Sequence, residues 1–208
     1  MRITEQAKQQ TRARILDKAV EIFVGKGFDD TTTRDMAEAA GVAVGTLFNY
    51  FPSKETLAMT MVAEALSRGK EDFQSRRSGN ESLVEELHLL VASGLRRLRP
   101  LRSFVGPVLE RSLSSFPRKS VCSEGEAARQ EHLTSVREVM ARHGFTAAPE
   151  DVAVAIYWSL YLGMLAFWLN DESPKQEASQ AFIDYSLRIY VNVVSGELAG
   201  SVGEDHAD

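Results

Sequence analysis

Between Thr32 and Lys54 the chain gathers side chains that can hydrogen-bond a phosphate or the edge of a base: Thr33, Arg34, Thr46, Asn49, Tyr50 and Lys54. The chemistry such a set supports is recognition rather than bond-making. An Arg fork fits a guanine edge, an Asn pairs bidentately with adenine, and hydroxyl, phenol and ammonium donors hold phosphate oxygens. Ala43, Val44 and Gly45 stand beside them. They offer apolar contact with a thymine methyl and room for a close backbone approach. No nucleophile–base pair, phosphate-cradling glycine loop, HExxH or carboxylate–His cluster accompanies them. Neither an enzyme, nor a metal site, nor a cofactor is expected.

The elements that must position these groups are short helices. Thr32 and Asp35 have capping-box spacing, with Asp in place of the commoner Glu or Gln. Met36, Ala37 and Ala40 give a small apolar stripe, and Gly41 tolerates the positive φ that ends a helix. In the second helix Leu47 and Phe51 face inward, with part of Phe48, while Thr46, Asn49 and Tyr50 fall on the other side. Pro52-Ser53 stops it, and Ser53 can cap the next helix. Helix, glycine turn and second helix form the layout of a helix-turn-helix, whose second helix enters the major groove of DNA.

From about residue 11 to 57 the sequence resembles the DNA-binding domain of the TetR (tetracycline repressor) family of bacterial transcription regulators. The resemblance rests on Gly27-Phe28, Thr32-Thr33, Ala37, Gly41-Val42, Gly45-Thr46-Leu47, Tyr50-Phe51 and Lys54, all in one register. It implies that Thr33, Arg34 and Thr46 contact backbone or bases and that Tyr50 and Lys54 clamp phosphate. It also implies a C-terminal domain that binds a small molecule and forms a dimer. Three positions depart from the family pattern. Ala43 replaces a common hydroxyl cap, Val44 a common polar or basic residue, and Asn49 a common aromatic or His.

Composition fits a regulator of this kind. Of the 208 residues 44 % are hydrophobic and 25 % charged, as in an ordinary globular protein. The net charge of −5 is uneven. Residues 1–77 hold 12 Lys+Arg and 11 Asp+Glu, a net of +1, and residues 78–208 hold 12 and 18, a net of −6. The acidity lies away from the expected DNA face, where phosphate attraction is local. Cys122 stands alone, so no disulfide framework is expected, and the N-terminus lacks an apolar signal region. Both readings suit a cytoplasmic protein.

The remaining chain reads as all-α: an N-terminal three-helix helix-turn-helix domain, then a helical ligand-binding and dimerisation domain. The expected division is 1–54 for DNA binding, a connecting helix over about 54–75, 76–195 for ligand and dimer, and a disordered tail over 196–208. Gly106-Pro107 is expected to kink or restart its helix, and residues 117–125 to form a loop. Ser173-Pro174-Lys175-Gln176 reads as a cap opening the last helix, with Ala178, Phe182, Tyr185, Ile189 and Val193 on one stripe. Val152 to Leu169 is apolar all round and meets the length of a membrane span. Its flanks, Glu150-Asp151 and Asp171-Glu172, are acidic, so a helix buried on two sides is the expectation.

Phe104, Phe116, Trp158 and Tyr161 are the expected walls of an apolar ligand pocket. The basic run Arg96 to Arg102 reads either as an anion site or as a solvated helix end. The two long helices at about 149–170 and 174–194 are the expected homodimer interface. The partners are thus a double-stranded DNA operator of pseudo-palindromic sequence, a small-molecule effector and a second copy of the chain, with no membrane. The alternative is a helical adaptor of the same fold that has lost operator binding.

Overall fold

The apolar spacings become a succession of α-helices, with no strand among the described residues. The structure is a computed structural model and describes residues 4–113, 123–144 and 149–195. Phe116, Cys122 and the tail 196–208 lie outside the described residues. The helices are α1 (Glu5–Lys26), α2 (Thr33–Ala39), α3 (Val44–Tyr50) and α4 (Lys54–Arg76), then α5 (Leu83–Leu98), α6 (Arg102–Leu113), α7 (Ser123–Arg142), α8 (Glu150–Asn170) and α9 (Glu177–Val194).

They pack as two compact units. The first takes residues 1–65 and 98–127, the second 66–97 and 128–208, so α4 supplies residues to both. α6 belongs to the first unit. The reason is aromatic packing: the Phe104 ring of α6 lies 5.0 Å from Phe23 of α1, which also meets Phe28 at 5.3 Å. α6 does not restart at Pro107 but runs through it. The backbone bond that proline removes would have ended on Ser103, which is exposed to water, while Phe104, Val105, Val108 and Leu109 are buried.

In the second unit, α8 turns Tyr157, Trp158, Tyr161, Leu165 and Trp168 inward, and α9 turns Ile183, Leu187, Tyr190 and Val194 inward. The stripe read on α9 is therefore its outer face: Phe182, Tyr185, Ile189 and Val193 are all exposed. The last helix also begins later than its cap suggested. Residues 174–176 form a 3₁₀ turn with Lys175 at φ 54° and Gln176 at φ 59°. Asp171 holds that turn, its carboxylate accepting from the Ser173 and Ser179 backbone N–H groups, each at 2.8 Å. The Ser173 hydroxyl still caps, accepting from Ala178 N–H at 3.1 Å.

Two features fix the second unit. Gly69 of α4 lies so near α5 that a Cβ there would stand 2.8 Å from Gly94 Cα and 3.1 Å from the Ser93 carbonyl oxygen. Glu86, only 3 % exposed, draws three elements together. Its carboxylate accepts from Arg142 Nη2 at 2.6 Å and His143 Nε2 at 2.7 Å, and Arg77 Nε stands 2.6 Å away as an ion pair. Burial pushes its pKa up, but the bonds from Arg142 and His143 and the charges of Arg142 and Arg77 outweigh it, and the carboxyl titrates below its ordinary value.

Gly69→Ala is expected to lower stability by about 1–3 kcal/mol through backbone overlap. Gly94→Ala meets only a Leu66 methyl at 3.4 Å and should cost much less. Urea unfolding of the two variants measures the difference. A carboxyl with a depressed folded pKa stabilises above its unfolded pKa of about 4.3 and loses that contribution as pH falls through the folded value. The melting-temperature gap between wild type and Glu86→Gln should therefore be full above about pH 5.5 and shrink steadily below it.

Candidate nucleic-acid interface

The α2–α3 pair is built from local rules. Thr32 Oγ1 accepts from Asp35 N–H at 3.2 Å, and Asp35 Oδ2 accepts in return from Thr32 N–H at 2.8 Å, a complete capping box. Lys26 Nζ pairs with the same oxygen at 2.7 Å. The Lys26 bond, then those from Thr32, pull the Asp35 pKa down to about 2. At the other end of α2, Gly41 takes φ +62°. Its N–H donates to Glu38 O at 3.0 Å, and Val42 N–H donates to Ala37 O at 2.9 Å. These two bonds form a Schellman turn, and a left-handed residue there favours glycine.

α3 then starts at Ala43, which is extended and makes no side-chain cap bond. Leu47 and Phe51 are buried at 1 % and 3 % exposure and fasten the helix to the unit's interior. Around them the outer face carries Ala43, Val44, Gly45 and Asn49, all exposed, with Thr46 and Tyr50 half-buried beside it. Thr33 and Arg34 open α2, Thr33 half-buried and Arg34 exposed. Eight of the nine residues read as DNA contacts thus lie at solvent-accessible positions at the start of α2 or on α3. Phe48 was read as partly inward, but it is 43 % exposed and joins Val44 on the outer face.

Lys54, the ninth, is held differently. It is not a free cation aimed at phosphate. Its Nζ donates to the carbonyls of Phe28 at 2.7 Å, Thr31 at 3.0 Å and Asp29 at 3.2 Å, and lies 4.4 Å from the Phe28 ring centre. An ammonium has three protons, and these acceptors use all of them. Lys54 ties the start of α4 to the loop from which α2 begins. Residues 23 to 26 positions away supply the acceptors, so no local spacing signals them.

The residues read as a ligand pocket do not form one group. Phe104 is buried in the first unit's interior against Phe23. Phe116 lies outside the described residues. Trp158 and Tyr161 do come together, around His132 of α7. The imidazole stacks on Tyr161 at 4.2 Å between ring centres, its Nε2 is 3.0 Å from Tyr157 Oη, and Trp158 lies 5.5 Å from Tyr161. Desolvation pushes the His132 pKa down to about 4, so the ring is neutral at physiological pH. Trp158 Nε1 is buried and has no hydrogen-bond partner among the described residues. A cleft barely larger than one water lies against His132, lined also by Leu66, Gly69, Lys70, Leu90 and Gly94. The position of His132 as the hub of these aromatics has no local signal in the sequence. Of the basic run, Arg97 is bound in two hydrogen bonds to Asp72, at 2.8 and 2.7 Å.

Comparison with known proteins gives the same picture from a separate direction. The family described as bacterial regulatory proteins, tetR family, matches residues 15–60, and the tetracyclin repressor-like C-terminal domain matches residues 86–206. The transcriptional repressor KstR of Mycolicibacterium smegmatis is 40 % identical over 193 residues, covering 89 % of this chain and 89 % of that protein. KstR2 of Rhodococcus jostii is 35 % identical over 170 residues, covering 82 % and 71 %. In fold the chain is similar to Thermus thermophilus FadR, a repressor solved with lauroyl-CoA, at TM-score 0.68, 21 % identity and coverage of 87 % and 93 %.

Lys54→Met should weaken the first unit by about 1–2 kcal/mol, because carbonyls lose their donor. It should leave the salt dependence of DNA binding unchanged. A lysine that clamped phosphate would instead lower the slope of log K against log salt by about 0.9 per contact. Thermal unfolding and binding titrations at several salt concentrations separate the two roles.

Proposed function

This chain belongs to the tetR family of bacterial regulatory proteins, and we propose that its α2–α3 face binds a pseudo-palindromic operator which an apolar effector releases. The chain is a ligand-responsive DNA-binding transcriptional regulator. The observation that carries the finer reading is the outer face of α3. Its polar and small side chains stand clear of the interior, while Leu47 anchors the helix beneath them. Arg34 and Asn49 are the base readers, able to pair with guanine and adenine. Thr33, Thr46 and Tyr50 bind phosphate, and Ala43, Val44 and Gly45 let the backbone close on the groove wall. In function, residues 1–54 bind DNA and residues 76–195 take the effector and the partner subunit. The site of action is the cytoplasm.

A second copy of the chain completes the operator-binding unit. α8 and α9 leave Val152, Phe167, Phe182, Tyr185, Ile189 and Val193 exposed, and the Phe167 and Phe182 rings stack 4.5 Å apart on that surface. Ala155, Ser159 and Gly163 are exposed along α8, small enough for a facing helix to come close. The acidic flanks and inward aromatics of α8 suit this use better than a bilayer, although the helix is long and apolar enough to span one. A two-fold pair puts two α3 helices against successive turns of the groove and makes the operator pseudo-palindromic.

The effector enters where Trp158 and Tyr161 surround His132. Aromatic walls accept an apolar body, and the unpaired Trp158 Nε1–H offers a donor to a buried acceptor on the ligand. A neutral His132 adds no charge to that site. A ligand that fits one arrangement of the second unit better than another shifts the population away from the DNA-binding form. The lauroyl-CoA found in the Thermus relative supports an effector with a large apolar portion.

Mobility-shift titration on DNA upstream of this protein's own coding region, at two salt concentrations, tests the reading. Saturable, salt-sensitive binding is expected, and Tyr50→Phe should weaken it by about 1 kcal/mol per subunit through one lost phosphate bond. If neither this DNA nor any fragment selected from the genome binds at low salt, the chain is a helical adaptor instead.

A further inference from the structure

Among the described phenylalanines of the first unit, one lies outside the interior. Phe48 is 43 % exposed, while Phe23, Phe28, Phe51 and Phe104 are at most 3 % exposed. It sits one helical turn beyond Val44, itself 37 % exposed, so the two make a continuous apolar strip on α3. Gly45 and Asn49, both exposed, flank the strip on the same face, and Leu47 faces the interior. Phe48 has no polar atom and can neither donate to a phosphate nor pair with a base edge. In the major groove the base edges present one apolar group, the C5-methyl of thymine.

We infer that Phe48 is a specificity-determining residue that reads thymine methyl groups, a reading that rests on the DNA-binding role proposed above. Asn49, the next residue of α3 and also exposed, has an amide that suits the same kind of base pair. An A·T pair offers adenine N6 and N7 to its amide and, on the other strand, a methyl to the neighbouring ring. The strip thus favours A·T pairs, and removing a methyl returns apolar surface of Phe48 to water.

The test uses the full-length chain and a fragment it selects from genomic DNA. Each thymine of one half-site is replaced in turn by uracil, which removes the methyl and leaves every hydrogen-bonding group in place. At one or two positions wild-type affinity should fall about fourfold per methyl, the value of one buried carbon. Phe48→Ala, checked for native helical content by circular dichroism, should bind thymine and uracil versions of those positions equally. Phe48→Leu, which keeps an apolar side chain and spares the fold, should retain part of the discrimination. Indifference of the wild type to every uracil overturns the inference, as does a uracil penalty that persists undiminished in Phe48→Ala. Failure to select any fragment is a different result: it removes the DNA-binding reading and this inference with it.

Discussion

An isolated helix of seven residues does not persist in water, and α3 has no side chain at its N-cap to help it. Its order is therefore borrowed. Leu47 and Phe51 bury its inner side, and the Gly41 turn sets its direction from α2. α2, itself seven residues long, depends in turn on the Thr32–Asp35 box and on the loop before it. Lys54 pins that loop by its carbonyls. The outer face of α3 is presented in a fixed orientation only because each of these supports is in place.

That dependence gives the effector something to act on. α4 begins at Lys54, against the α2 loop, and continues into the second unit, where Gly69 lies on Gly94 beside the cleft under His132. The two glycines leave no side chain to cushion a change in that crossing. Packed helices have discrete arrangements rather than a continuum, so binding energy spent at one place appears as a choice between states.

Much of this was legible wherever the signal was local. Thr32 with Asp35, Gly41, Leu47 with Phe51, and the helix boundaries near Lys54 and Asn170 all follow from spacing within one or two turns. What escaped was set by partners far along the chain. Lys54 reads as a surface cation until Phe28 and Thr31 are brought to it. Phe104 reads as a pocket wall until α6 folds onto Phe23. On α9 the apolar stripe was real, but the helix is apolar on two sides. Spacing alone does not say whether Phe182 and Tyr185, or Ile183 and Leu187, face the interior. The positive φ values at Lys175 and Gln176 fall between Ser173 and Ser179, both bonded by the Asp171 carboxylate, and no propensity at those two positions anticipates them.

The central claim is that a borrowed helix, α3, becomes the DNA contact. Amide hydrogen exchange of the full chain, with and without a DNA fragment it has selected, measures that directly. Exchange over residues 44–50 is expected to be fast for a seven-residue helix and to slow on DNA addition, together with the start of α2. Slowing confined to other helices, with residues 44–50 unchanged by bound DNA, would contradict the account.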